Sequence, residues 1–399
     1  MSKQIYDPIH GFVEMTPLMC EFMDTPEFQR LRDLKQLGAT YFVFPSGTHT
    51  RFEHSVGVSH LAGITMENLK NAHPELSITD REIELTRIAG LLHDIGHGPF
   101  SHLYDHYVKE PSEPEHEERG LEIIKNMVKK YNINITNEEL KYILNMIDPD
   151  VNGDYSQNDW RYQIVANKVC SIDVDKIDYI QRDCYHIGMK FGGEYSRLMS
   201  ECRVKKIKGT DKMVLAWPKK LQFEIYNLFN TRYRLHKQVL SHHTVKAYEY
   251  YIIEILRNIK QRGYEFIQLT DSIVFCNLHQ NELYDDIKNK MFHRKIPKLV
   301  CEKIIPYTDS HPSICAFPKR IVDFLVDKVD LGFATGGKNP LTNVYYFENK
   351  SETCSLTNPT ENSFSIPTQY RESILRLYTY DRKREKEAKD FWDILISQI

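Results

Sequence analysis

The segment Leu91-Leu92-His93-Asp94-Ile95-Gly96-His97-Gly98-Pro99-Phe100-Ser101-His102 constrains this chain more than any other. An apolar helical pattern enters it through Leu85, Ile88, Ala89, Leu91 and Leu92, and two glycines and a proline must end that helix. Three histidines and an aspartate therefore fall where a helix breaks. Buried ionisable groups are costly unless paired or bound to metal, so packing alone is a poor account of the cluster. Neutral imidazole and carboxylate together suit a divalent metal such as Fe, Zn, Mn or Mg. His93 and His97 are four apart and can share a face.

Two further segments can complete such a site. Thr50-Arg51-Phe52-Glu53-His54-Ser55 sets an Arg and a His three apart at a helix start. On a helix running from about Val174 to His186, Asp175, Tyr179 and Asp183 share one polar face, while Ile177, Ile180 and Cys184 share the apolar one. Taken alone, Asp175 reads as an ordinary first-turn aspartate favoured by the helix dipole.

The rest of the chain reads as mainly α. Thr25, Pro26 and Gly38 bracket a helix over residues 26–37, followed by a short extended piece at 41–45. A second helix is expected from about Glu53 to Asn71. Thr79 with Glu82, and Thr136 with Glu139, are capping boxes. A helical pattern continues from about Leu221 to Lys260. Residues 264–350 are richer in β-branched and aromatic residues, and residues 370–397 read as a last amphipathic helix. The division is a helical domain over 1–262 and a C-terminal α+β lobe over 263–399.

Composition excludes several classes. Apolar residues make up 41% and charged residues 27%, which sets aside a disordered chain or a fibre. A net charge of −3 argues against a generally basic nucleic-acid coat and against a single-stranded nucleic-acid or nucleotide-sensing scaffold. No run approaches the roughly 18 apolar residues of a membrane-spanning helix, and no signal-peptide core opens the chain. Eight cysteines without a CxxC pair read as reduced thiols, so the expected location is the cytoplasm or nucleus.

Together these segments resemble the HD phosphohydrolase superfamily, with its ordered H…HD…D ligands. The match extends through Asp7-Pro8-Ile9-His10-Gly11, Phe28-Gln29-Arg30-Leu31-Arg32, Lys35-Gln36-Leu37-Gly38, Asp173-Val174-Asp175-Lys176, Arg182-Asp183-Cys184 and Lys338-Asn339-Pro340. These resemble the catalytic core of the SAM- and HD-domain deoxynucleoside triphosphate triphosphohydrolases, without the SAM domain. The resemblance implies a helical HD core with a smaller C-terminal α+β lobe, and hydrolysis of dNTPs to deoxynucleoside and inorganic triphosphate. It implies that His54, His93, Asp94 and Asp175 hold the metal, and that His116, Asp105 and His97 are catalytic. Gln36, Leu37, Arg51, His102, Lys176, Tyr179, Asp183, Arg232 and His236 would bind substrate. Lys3, Asp24, Gln29 and Arg32 match a guanine-nucleotide (GTP) activator site. Arg197, His242 and Lys338 match a second, dNTP site of a homo-oligomer, a tetramer or dimer. One departure stands out: the family's Tyr-Gln pair is Leu240-Ser241 here. An HD-type nucleotidase or phosphodiesterase is the alternative reading, for which Arg51, Lys176 and Arg232 would be surplus cations.

Overall fold

The helix Asp80–Leu92 (α4) begins where the sequence says it must, because Thr79 and Glu82 exchange side-chain and backbone hydrogen bonds as a capping box. A computed structural model describes residues 2–149, 159–191, 193, 195–307, 319–321, 324–334, 337–348, 351–357, 365 and 367–397. An N-terminal hairpin of Lys3–Asp7 (β1) and Gly11–Met15 (β2) leads into short helices Pro17–Met23 (α1) and Pro26–Gln29 (α2). The central helices are Arg51–Ala72 (α3), α4, His102–Tyr107 (α5), His116–Tyr131 (α6), Asn137–Ile147 (α7) and Val174–His186 (α8). Then come Ser196–Glu201 (α9), strands Arg203–Ile207 (β3) and Met213–Pro218 (β4), and helices Gln222–Leu235 (α10) and His243–Lys260 (α11). The fold is mainly α. None of the described helices is long and apolar enough to cross a membrane.

The C-terminal part packs Asp271–Gln280 (α12) and Asp285–Phe292 (α13) near α11. It then builds an antiparallel sheet from Lys298–Pro306 (β5), Lys319–Ile321 (β6), Phe324–Gly332 (β7) and Arg371–Thr379 (β10), in the order β5-β10-β7-β6. Helix Glu385–Ser397 (α14) covers that sheet through Ala388, Trp392 and Leu395. Strands Tyr345–Phe347 (β8) and Thr353–Leu356 (β9) return to β4 and β3 and close a four-stranded ring with them.

Four local expectations are corrected. The helix over 26–37 is only Pro26–Gln29 plus a 3₁₀ turn, Arg30–Asp33. Beyond it, Leu34 O accepts from Arg51 N (2.9 Å) and Gln36 N donates to His49 O (3.0 Å), so the chain is drawn straight alongside residues 49–51. The extended piece at 41–45 is instead approached through a 3₁₀ turn, Gly38–Phe42, whose Phe42 ring stacks on Tyr248 at 4.2 Å. The helix over 221–260 breaks: after Leu235 comes one π-helical turn, His236–Leu240, and then His242 is extended and caps α11 through Thr244 N. Donors from β10 take up carbonyls around the break, with Arg376 Nη1 on Ser241 O (2.5 Å) and Tyr378 OH on His243 O (3.2 Å). Finally, 371–379 is strand, not helix. It is the inner strand β10, buried along most of its length, and its residues carry no period-2 alternation that would separate strand from helix.

Two large cores meet in the helical part. One joins the hairpin with α3, α4, α6, α7, α8 and α10; the other joins α5, α11, α12 and α13. The seam between them is where a cavity opens. Replacing Thr79 or Thr136 by Ala removes a capping-box partner on the rim of the first core. Each substitution is expected to lower stability by about 1 kcal/mol in urea unfolding, with the m-value unchanged.

Candidate active site

Helix α4 ends at Leu92, and the chain that follows is held by arginines rather than by a glycine cap. Arg30 donates to the carbonyls of His97 (2.7 Å) and Ile95 (3.3 Å), and Arg119 donates to Gly96 O (2.7 Å). These bonds satisfy carbonyls that the broken helix leaves open. Gly96 is required by proximity: a Cβ there would collide with the backbone of His116 and Gly120. Phe100 and Ser101 both adopt positive φ, at 55° and 58°. The Asp271 carboxylate holds this turn by accepting from Phe100 N (2.7 Å) and also from Lys35 N (2.9 Å).

The turn delivers His93 and Asp94 to the start of α3 and α8. His93 Nε2 lies 3.2 Å from His54 Nε2. Asp175 Oδ1 is 3.0 Å from the first of these atoms in chain order, on His54, and 3.4 Å from His93. Asp94 adds Oδ1 at 3.4 Å from His93 and Oδ2 at 3.6 Å from His54. His93 Nδ1 faces Gly90 O at 2.8 Å, and His54 Nδ1 faces Asp178 Oδ2 at 2.8 Å. Both acceptors lack hydrogens, so both Nδ1 atoms donate. In the neutral rings each Nε2 is then a bare lone pair. Two such lone pairs and two carboxylates facing one another repel unless a cation lies among them. This donor set fits a divalent metal.

Electrostatics point the same way. Burial opposes positive charge on His54, but Asp175, Asp178 and Asp94 outweigh it and push the imidazole up to about 10, so the field at its Nε2 favours a cation there, whether proton or metal. Burial likewise opposes ionisation of Asp94, yet Arg51 and the neighbouring imidazoles hold it well below the usual carboxylate range. Asp175 is held low against the same burial penalty by His54 and His93.

Beside these four lies a second imidazole group. The rings of His97 and His116 stack at 3.9 Å, and His102 stands edge-on to His97 at 5.1 Å. His116 is the first residue of α6, and its Nδ1 lies 3.3 Å from Asp105 Oδ2. The other Asp105 oxygen accepts from Arg119 Nη2 at 3.0 Å. Burial pushes Asp105 up, but His116 and Arg119 more than offset it, and the carboxyl lies below its ordinary range. Burial drives His97 down, and Arg51 adds to the effect.

A cavity of about 460 Å³ opens over both groups. Gln36, Leu37, Arg51, His102, Tyr179, Asp183, Arg232 and His236 line it, as do Leu240 and Ser241. Gln36 Oε1 is buried without a hydrogen-bond partner there. Asp183 is held by His49 Nε2 at 2.7 Å, and Arg232 donates to Tyr179 OH (3.1 Å) and to Gly332 O (2.9 Å) at the end of β7. Lys176 is not part of the wall, and its ammonium lies 3.4 Å from Asp173. Arg51 is already engaged, pairing with Asp94 and donating to Ser101 Oγ at 2.9 Å.

The expected activator residues fall into two sets. Lys3 pairs with Asp24, Gln29 donates to Met23 O (2.8 Å) and Arg32 donates to Gln29 (2.8 Å), so these four share one corner. Arg197 pairs with Glu201 and Glu224, His242 caps α11, and Lys338 precedes the turn Pro340–Asn343, so these three stand on separate elements.

The HD domain model matches residues 51–183, the stretch from Arg51 to Asp183. The chain is 34% identical to the deoxynucleoside triphosphate triphosphohydrolase SAMHD1 homolog of Dictyostelium discoideum, over 96% of this chain and 78% of that protein. It is 30% identical to the Homo sapiens deoxynucleoside triphosphate triphosphohydrolase SAMHD1, over 98% and 72%. The chain belongs to the HD-domain deoxynucleoside triphosphate triphosphohydrolase family. An HD domain-containing protein of Acanthamoeba polyphaga mimivirus is 32% identical, over 99% of this chain and 96% of that one.

Within this family member, sequence reasoning missed Arg30, His49, Ser101, Arg119 and Asp271 as groups that hold the site. His49 sits five residues before the expected metal ligand at 54 and offered a weak signal. Asp271 offered none: it is a first-turn aspartate of α12, 171 residues from the backbone N–H it binds. Gly96→Ala is expected to cost roughly 1–3 kcal/mol, because backbone atoms and not a flexible side chain oppose the new methyl. Thermal unfolding of the variant beside Gly188→Ala, where a Cβ meets nothing within 4 Å although φ is positive, separates the clash from backbone strain.

Proposed function

We propose that this chain hydrolyses deoxynucleoside triphosphates to deoxynucleoside and inorganic triphosphate. The observation that carries the reading is the convergence of His54, His93, Asp94 and Asp175 beside the stacked His97–His116 pair, on the floor of a cavity walled by Tyr179, Asp183 and Arg232. Water adds to the α-phosphorus, the P–O5′ bond breaks, and the departing 5′ oxygen takes a proton. A divalent cation held by the four ligands would supply Lewis-acid polarisation of phosphate and easier deprotonation of water. His116 carries the proton for the 5′ oxygen, with Asp105 facing its Nδ1 and Arg119 keeping that carboxylate in place. His97 and His102 stand beside the α-phosphate.

Arg51 and Arg232 in the cavity wall, joined by Lys176 once its ammonium leaves Asp173, are the cations for a triphosphate of about four negative charges. Gln36 and Asp183 bind the 3′-hydroxyl, and Leu37 packs on the sugar. Tyr179 crowds the 2′ position, and its hydroxyl is fixed by Arg232. His236 closes the phosphate end. A guanine nucleotide at Lys3, Asp24, Gln29 and Arg32 activates the enzyme. Arg197, His242 and Lys338 contribute to a second nucleotide site between subunits of a tetramer or dimer.

Product analysis tests the reading. Purified protein is incubated with each dNTP, with and without GTP, in Mg²⁺ or Mn²⁺. Deoxynucleoside plus intact triphosphate is the expected outcome. Release of phosphate or pyrophosphate alone would instead favour the HD-type nucleotidase reading, for which Leu240 and Ser241 in the cavity wall are the supporting observation.

Asp175→Ala is expected to lose bound metal and activity together. His116→Ala should keep its metal and lose about 10²–10⁴ in kcat; wild-type turnover in that variant would remove His116 from its role. Tyr179→Ala opens the 2′ position. The dNTP-to-NTP ratio of kcat/KM should fall by about tenfold or more, within the range that steric pockets command.

A further inference from the structure

We propose that the N-terminal hairpin is a positioning element for the metal centre: Asp7 and His10 act through Arg182 and Asp178 to hold the His54 ring with Nε2 aimed at the ion. The inference rests on reading His54, His93, Asp94 and Asp175 as a metal site. Asp178 lies three residues beyond Asp175 on α8, and none of its surface reaches solvent. Its Oδ2 accepts from His54 Nδ1 (2.8 Å) and Arg182 Nε (2.8 Å). Its Oδ1 accepts from His10 Nε2 (2.7 Å) and Arg182 Nη2 (2.9 Å). All four acceptor directions of the carboxylate are therefore used.

The network then leaves the helical core. Arg182 Nη1 donates to Asp7 Oδ2 at 2.8 Å, and Asp7 Oδ1 accepts from the backbone of Ile9 (2.8 Å) and His10 (2.9 Å) in the hairpin turn. Asp7 thus shapes the turn that presents the His10 ring. Helix α3 is hollowed to admit the group: a Cβ at Gly57 would collide with Asp178 and Arg182. Loss of the His10 donor would leave one Asp178 oxygen short of a bond and let the carboxylate shift. His54 would shift with it, because Nδ1 has no other partner in this geometry. A staple that merely fastened the hairpin would not need to end on a ligand ring. Groups that hold ligating imidazoles typically change metal affinity by about 10–100-fold when removed.

The test uses the full chain, stripped with chelator and titrated with Mn²⁺ alone against a competing chelator. The variants are His10→Ala, His10→Phe, which keeps the ring volume without a donor, and His10→Gln, whose amide N–H can still reach Asp178. Urea unfolding of the metal-free proteins reports folding separately, and the visible spectrum of the Co²⁺-loaded proteins reports ligand geometry. His10→Ala and His10→Phe should bind Mn²⁺ about 10–100-fold more weakly and change the Co²⁺ bands, while His10→Gln recovers most of the affinity. Wild-type Mn²⁺ affinity in either variant that folds, with Asp175→Ala binding none, would overturn the inference and leave the metal reading intact. Wild-type affinity in Asp175→Ala would overturn the metal reading, and this inference with it.

Discussion

The structure depends on burying several carboxylates next to several imidazoles without leaving a charge uncompensated. Three of the carboxylates have a guanidinium each: Asp94 has Arg51, Asp105 has Arg119 and Asp178 has Arg182. Each ion pair is buried, where breaking one partner leaves an uncompensated charge and costs far more than the pair contributes. Asp175 is different. Its close partners are His54 and His93, and it faces the cavity. The negative charge that the arginines do not cancel is thus concentrated where the two bare Nε2 atoms meet, and a cation completes the balance there.

This arrangement explains why the site needs more than the HD helices. The turn after α4 has carbonyls to satisfy, and Arg30 and Arg119 reach them from α2's end and from α6. Its strained residues, Phe100 and Ser101, are held by Asp271 from the C-terminal part and by Lys35 and Arg51. Backbone strain of this kind persists only where the surroundings over-determine it. The cavity wall is tied to the C-terminal sheet in the same way, through Arg232 on Gly332 O and Arg376 on Ser241 O. The break between α10 and α11 has a use in this setting: a continuous helix could not turn the Ser241 carbonyl toward Arg376.

Much of the helical core was legible. Capping boxes at Thr79 and Thr136 mark helix starts because the reciprocal bonds are local, and the span Val174–His186 follows from one polar and one apolar face. The failures have a common cause. Residues 34–36 continue the helical periodicity of the segment before them but are pulled straight by pairing with residues 49–51, a contact with no local signature. Residues 373–379 are buried on both faces, Ser373 and Arg376 included, because β10 is an inner strand, so alternation is lost.

What the sequence determined by itself was the chemistry on offer: imidazoles and carboxylates at a helix end, a second His at a helix start, and an aspartate face on α8. Residue type and short-range spacing suffice for that. Which imidazole faces which carboxylate, and through which nitrogen, was decided only by tertiary structure. Asp178 sets the His54 tautomer from 124 residues away, and Asp271 holds the Phe100 turn from 171. Such bonds depend on how two cores pack against each other, and no local pattern encodes that distance.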